Sequence, residues 1–422
     1  MSTIKEIKRR LKISDYVGKF VQLKPAGSSA SFMGRCPFPD HEDSDPSFHV
    51  YDDSCYFKCY GCGKEGDMLD FYCLMEGKET GDAVAYFASL AGISHERPQT
   101  AAEKKRLAHR ALLQDINAFY RETLFSSKGE DALKYLLSRG LSETIIRAFS
   151  LGFAPGFSGN EIVRIAKKHG VTEARAVELG ILKVNGEKNP YDPFFKRIVF
   201  PIYNGHGSAP AGFGGRILDE GAAKYINSVN SEHFVKGDLL YGYILARQNI
   251  AATKTAVLME GYMDVLAMHD KGFTNSAGVL GTAITGNQIR LLKKAHANRV
   301  VFLMDGDKAG LEAAKKGVGR AMAGGLMPYI AIMQPDEDPS SILQQPGGRD
   351  VIQQLLDTAE PGLEYVHRCL ADNPIEFHAW IHAIAKETED KLLRLIWLAR
   401  IAKLMGMPGE YLVDALELCK EN

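Results

Sequence analysis

The 422 residues contain no run of about 18 apolar side chains, and that absence excludes a membrane-spanning helix. The opening residues, MSTIKEIKRRLKISDYV, lack the apolar stretch a secretory leader needs. A cytoplasmic setting is therefore expected, in which the seven cysteines stay reduced and clustered ones read as metal ligands rather than disulfide partners. Net charge is nearly missing too, since 51 Lys and Arg against 52 Asp and Glu leave −1. That balance argues against a uniformly basic nucleic-acid binder but not against a local basic patch, which is what phosphate contact requires. Internal repeats and low-complexity tracts are absent. What is present is an ordinary globular composition, 45% apolar and 24% charged, over a length that suggests roughly three domains.

The chain changes character along its length. Residues 1–100 hold five of the cysteines, Cys36, Cys55, Cys59, Cys62 and Cys73, and are followed by the polar stretch AAEKKRLAHR, which reads as a linker passing into a helix. Residues 101–250 mix helical patterns with Gly-rich turns. Residues 251–345 alternate short apolar runs with helical periodicity, the pattern of a parallel α/β sheet. Residues 346–422 read as helical, and 360–419 entirely so. An α/β multidomain chain is expected, with an N-terminal ribbon, a mixed α/β subdomain, a parallel sheet and a C-terminal helical bundle.

In the first segment Cys36 and His41 form C-x4-H, and Cys59 and Cys62 form C-x2-C seventeen residues later. A C-x2-C pair on a turn with Gly61 and Gly63 lets two thiolates reach one ion, and a second pair completes a tetrahedron. The intervening SFHVY and CYFKCY alternate around DDS as a β-hairpin would, which brings the two pairs together. Four ligands without an open position predict one structural zinc. His49 and Cys55 are substitutes placed inside the strands, and Cys73 lies in a helical pattern that suits the core. The aromatics Phe48, Tyr51, Tyr56, Phe57 and Tyr60, with Lys58, suit either the core of a small ribbon or base stacking.

Further on, RVVFLMDGDKAG runs an apolar strand into Asp305 and Asp307. TAVLMEGYMDV runs another into Glu260, with Asp264 a helical turn beyond, and MPYIAIMQPDEDPSSIL a third into Asp336, Glu337 and Asp338. In an open parallel sheet the carboxyl ends of the strands line one edge, where ligands bind. Converging carboxylates repel unless a cation lies between them, and oxygen-only ligands point to Mg²⁺ or Mn²⁺. The alternative is three separate helix caps. Upstream, Arg197, Arg216, Lys224 and Lys236 offer charge to phosphates, and Tyr225 and Asn227 offer contacts to bases or sugars. Gly212, Gly214 and Gly215 are expected to leave room for a polynucleotide backbone.

Glu-Gly at one strand end, GVLGTAIT midway and Asp-x-Asp at a later strand end resemble the Toprim domain. FKRIVFPIYN, GFGGRIL, KYINS, FVKGDLLYG and the earlier SRGLSETIIRAFSLGFAP resemble, in order, the RNA polymerase core of bacterial DnaG-type primases, and the Cys/His segment resembles their CHC2 zinc ribbon. The resemblance covers nearly the whole chain. It implies a DNA-dependent RNA polymerase making short RNA primers from ribonucleoside triphosphates on single-stranded DNA. It also implies Glu260, Asp305 and Asp307 as catalytic ligands of Mg²⁺ or Mn²⁺, assisted by Asp264 and Asp338. Lys224 and the arginines would hold template or nucleotide phosphates. A RecR-like zinc and Toprim recombination mediator, or a Toprim nuclease, is the alternative.

Three departures from the family pattern stand out. The first zinc pair usually reads C-x2-H, and His41 falls two residues later here. Ser340 occupies the place of the last acid of the third group. The helical domain with which such primases dock on a replicative DnaB-type helicase is expected to be missing, which leaves that partner in doubt.

Overall fold

A computed structural model describes residues 3–408 apart from 39, 40, 42, 44, 77, 79, 94–100, 157, 188, 206, 208, 220–222, 233, 282, 305–307, 335 and 336. The chain falls into two compact units, Met1–Ala102 and Glu103–Asn422. Among the described residues no helix is long and apolar enough to cross a membrane.

The first unit is built on a five-stranded antiparallel sheet whose strands follow chain order: Lys24–Ala26, Ser28–Gly34, Phe48–Tyr51, Tyr56–Cys59 and Glu65–Asp67. Period-2 alternation in the central hairpin sends Phe48, Val50, Phe57 and Cys59 inward, where Phe38 and Phe71 join them. Phe48 pairs with Cys59 and Val50 with Phe57, so the register places all four on one face. The hairpin turn is tied down by Asp52, whose carboxylate accepts from the Ser14 N–H at 3.0 Å and the Ser14 hydroxyl at 2.8 Å.

In the second unit a four-stranded antiparallel sheet runs in the order Tyr225–Asn227, Pro210–Ile217, Arg197–Tyr203, Gly152–Ala154. A six-stranded sheet follows, in the order Leu240–Tyr241, Ser276–Val279, Thr255–Met259, Arg299–Met304, Met327–Ile332, Glu360–Pro361. Its four inner strands are parallel and buried on both faces. Ala256, Leu258 and Phe302 meet the helices Tyr243–Thr253, Gly286–Lys294 and Lys308–Ala323. Val257, Met259, Val301 and Leu303 meet Tyr262–Asp270, Pro339–Leu343 and Gly348–Asp357 on the other side. Continuous apolar runs such as VVFLM are what a doubly covered strand requires.

Two features depart from the expected layout. The parallel sheet is closed at both edges by two-residue antiparallel strands, Leu240–Tyr241 and Glu360–Pro361, from outside the 251–345 stretch. Short edge strands cover the open ladders of the parallel core. The stretch 360–419 therefore begins with a strand before its helices Gly362–Cys369, Pro374–Glu387 and Lys391–Leu404. Those helices share a core with the sheet, and the Trp397 and Trp380 indole N–H groups donate to the carbonyls of Met322 and Lys315 at 2.8 and 3.1 Å.

Candidate metal centres and nucleic-acid surface

The four predicted ligands Cys36, His41, Cys59 and Cys62 come together, with all ligand atoms within 4.8 Å of one another. Zn–S bonds of about 2.3 Å and Zn–N bonds of about 2.05 Å at tetrahedral angles require S···S near ~3.8 Å and S···N near ~3.6 Å. Cys36 Sγ lies 3.8 Å from Cys62 Sγ, and Cys59 Sγ lies 3.5 Å from His41 Nδ1, so the cage fits that ion. Gly61 is needed for the fit, because a Cβ there would strike the His41 ring. The longer first knuckle is braced by Asp43, whose carboxylate accepts from the Cys36 N–H at 2.7 Å, the Ser47 N–H at 3.1 Å and the Ser47 hydroxyl at 2.9 Å. Ser47 in turn lies 3.4 Å from Cys59 Sγ. Spacing alone does not mark Asp43 and Ser47, although a short polar residue inside a metal knuckle is a signal for such bracing.

The thiols differ in acidity. Burial pushes Cys36 up to about 12. Burial opposes the Cys59 thiolate as well, but the Cys62 N–H, the Ser47 hydroxyl and the Gly61 N–H outweigh it and bring that thiol down to about 6. His49 and Cys55 stand apart from the cluster: Cys55 is buried in the hydrophobic core at φ 48°, and His49 faces outward.

The strand alternation that buries Phe48 and Phe57 sends His49, Tyr51, Tyr56 and Lys58 to the opposite face, and Tyr60 follows at 62% exposure. The rings are stacked in His49–Tyr51 at 6.2 Å and Tyr51–Tyr56 at 6.4 Å and edge to face in His49–Tyr60 at 5.2 Å, with the Lys58 ammonium 5.7 Å from the Tyr60 ring. The aromatics thus divide between core and surface by parity.

In the second unit Glu260 follows the strand Thr255–Met259 and is half-buried. Asp264 is 8% exposed in the first turn of Tyr262–Asp270, and its Oδ1 accepts from the Ser340 N–H at 3.1 Å. Ser340 thus contributes a backbone donor where the family pattern has an acid. Asp338 caps Pro339–Leu343, with Oδ1 accepting from the Ser341 N–H at 2.7 Å. Asp305 and Asp307, with Asp336, lie outside the described residues, and the strand before the pair ends at Met304. Among the described residues Glu260, Asp264 and Asp338 do not form a triad within ligand distance. The strands Thr255–Met259, Arg299–Met304 and Met327–Ile332 are adjacent and parallel, so their carboxyl ends share one edge. An all-carboxylate donor set at that edge fits a hard divalent cation.

Beside this edge stands an aromatic stack. Phe200 and Tyr262 rings are 4.9 Å apart and Tyr225 and Tyr262 rings 5.9 Å apart, and the Tyr262 hydroxyl donates to Asn227 Oδ1. Arg216 donates to the Tyr225 hydroxyl at 2.6 Å and sits over the Tyr135 ring at 5.0 Å. Lys224 is exposed and Lys236 half-buried. Arg197 corrects the expectation of a row of surface cations. It is 6% exposed, and its Nη1 donates to the carbonyls of Ala223 at 2.9 Å and Lys224 at 3.3 Å, so it braces the chain rather than facing phosphates. The glycines need the same correction. A Cβ at Gly212 would strike Phe234, one at Gly214 would lie 2.5 Å from Tyr262, and one at Gly215 would lie 2.6 Å from Phe194. They make room for rings of the protein itself, not for a polynucleotide.

Comparison with known proteins gives three matches in order: a CHC2 zinc finger over residues 1–103, the N-terminal domain of the DNA primase catalytic core over 119–247, and a Toprim-like domain over 257–343. The DNA primase of Deinococcus radiodurans is 38% identical over 329 residues, 78% of this chain and 56% of that protein, so the chain spans little more than half the relative's length. The zinc-binding and RNA polymerase domains of the Aquifex aeolicus primase superpose with a TM-score of 0.62 at 30% identity, covering 98% of this chain and 99% of that one. A DnaG primase catalytic domain bound to single-stranded DNA gives a TM-score of 0.62 at 28% identity over 74% of this chain and 99% of that one.

Proposed function

From its membership of the bacterial DnaG-type DNA primase family, to which the chain belongs, we propose that it is a DNA-dependent RNA polymerase that makes short RNA primers on single-stranded DNA. The CHC2 finger carries a structural zinc and the Toprim-like domain implies a catalytic Mg²⁺. What supports the proposal is that the parallel strands end on one shared edge, with Glu260 and Asp264 at the end of one of them and Arg216, Tyr225 and Asn227 beside it, because extending a polynucleotide needs metal-binding acids next to groups that hold phosphate and sugar. Glu260, Asp305 and Asp307 would hold Mg²⁺ or Mn²⁺, with Asp264 and Asp338 assisting. Such an ion, when bound, supplies Lewis acidity for the attacking hydroxyl and charge compensation for the departing pyrophosphate.

The remaining work falls to the chain itself. The Ser340 N–H holds the Asp264 carboxylate, and the cap at Asp338 fixes that residue through its Oδ1. The bond from Tyr262 to Asn227 ties the helix after Glu260 to the neighbouring antiparallel sheet, so metal ligands and phosphate-holding groups keep one geometry. Arg216, Lys224 and Lys236 hold template or nucleotide phosphates, and Cys36, His41, Cys59 and Cys62 hold the zinc. The outward rings His49, Tyr51, Tyr56 and Tyr60 with Lys58 support a stacking role in choosing where synthesis starts.

Incubation with single-stranded DNA, labelled ribonucleoside triphosphates and Mg²⁺ tests the reading. Short labelled RNA is expected. Binding without synthesis would turn the reading into a mediator, and strand cleavage would turn it into a nuclease.

A further inference from the structure

Between Lys271 and Met304 the chain carries five Lys and Arg residues, at 271, 290, 293, 294 and 299, and no Asp or Glu. In a protein of net charge −1 that is a local excess. The helix Gly286–Lys294 concentrates it. Gln288, Ile289 and Leu292 are buried against the sheet, and Asn287, Arg290 and Lys294, at i, i+3 and i+7, are exposed along the opposite line. Arg290 and Lys294 are one turn apart on that line, about 6 Å along the axis.

Some surface cations of this unit sit beside carboxylates of their own helix: Lys134 is 2.7 Å from Glu130 and Arg147 is 2.6 Å from Glu143. Among the described residues, Arg290, Lys293 and Lys294 have no such ion pair. Arg290 donates to the Asn287 side chain and Lys293 to the Gly325 carbonyl at 3.4 Å. The line also has a defined starting point. The Gln288 amide donates to the Lys236 carbonyl at 3.3 Å and Asn287 donates to Asp238, so Lys236 stands at the head of the helix. That end follows the strand Ser276–Val279, parallel to Thr255–Met259, and so lies at the carboxylate edge.

Resting on the polymerase reading above, we propose that Arg290 and Lys294 form a phosphate track that carries single-stranded template along the outer face of this helix, away from the carboxylate edge. Unpaired cations spaced along one line suit a flexible polyanion, whose bound counterions are released as its phosphates are neutralised. The single strand fits better than the product duplex, because one row of side chains can follow one backbone.

The test is the salt dependence of binding to a fluorescein-labelled single-stranded oligodeoxynucleotide, using the full chain and the double variant R290A/K294A. Loss of two phosphate contacts is expected to lower the log–log slope by about 1.4, at about 0.7 per contact on a single strand. R290K/K294R should restore it, and primer synthesis at saturating template should persist. Lysines in the last helical turn also offset the helix dipole, and that role alone predicts a lower melting temperature with an unchanged DNA slope, which would overturn the track. A slope that falls only with an RNA–DNA hybrid of equal length would overturn the choice of template. If K236A weakens binding and the double variant does not, the track fails while the polymerase reading stands.

Discussion

At the scale of single residues, burial and neighbours decide roles that residue type leaves open. Arg197 and Arg216 look alike in sequence, yet one is enclosed on carbonyls and the other stands between two tyrosine rings. Arg197→Ala is therefore expected to cost about 1–3 kcal/mol of stability, through carbonyls left unpaired, with no change in the salt slope of DNA binding. Arg216→Ala should do the reverse, lowering the slope by about 0.7 with little loss of stability. Thermal melts and salt titrations on both variants check this, and identical behaviour of the two would contradict it. The zinc cage makes a second case. With Cys36 up at about 12 and Cys59 down at about 6, zinc binding displaces a proton from Cys36 throughout the neutral range, and Cys59 adds its own only below about pH 6. Zinc affinity should therefore fall with falling pH and fall more steeply below about 6. Ser47→Ala, which removes a donor to Cys59, should move that steepening to higher pH in a chelator competition. An unmoved break would mean that Ser47 does not tune the thiolate.

At the scale of elements, the readable signals were those that local chemistry dictates. Apolar runs ending in acids located three parallel strands, and the alternation in SFHVY and CYFKCY located the hairpin with its ligand pairs. Less was legible where a residue's meaning depends on a distant partner. Glycine at 212, 214 and 215 announces that space is needed but not that Phe234, Tyr262 and Phe194 fill it. The two-residue edge strands at 240–241 and 360–361 carry too little pattern to be seen without the sheet they close. The brace from the Ser340 N–H to Asp264 joins residues 76 positions apart, and a backbone donor leaves no mark on side-chain sequence. The glycine reading yields its own prediction. Gly214→Ala forces a methyl into the Tyr262 ring and should cost about 1–3 kcal/mol, with synthesis falling alongside because Tyr262 is tied to Asn227 next to the metal ligands. A Gly214→Ala protein with unchanged melting temperature and activity would show that the ring moves aside freely.

At the scale of the whole molecule, two compact units divide the chain between a zinc-bearing sheet with an aromatic outer face and a core that carries the carboxylate edge. If the first chooses start sites and the second does the chemistry, a fragment beginning near residue 105 should still extend an annealed primer but start new ones poorly. Equal initiation by fragment and full chain would contradict that division. The central claim is that Glu260 and its neighbours at the sheet edge bind the metal for RNA synthesis rather than merely cap helices. Primer synthesis by wild type and by Glu260→Gln, measured on single-stranded DNA with Mg²⁺ and accompanied by melting temperatures, tests it most directly. Labelled primers are expected from wild type, with a loss of about 100-fold or more in the variant and the fold intact. An active Glu260→Gln protein, or a wild type that binds DNA without making RNA, would contradict it.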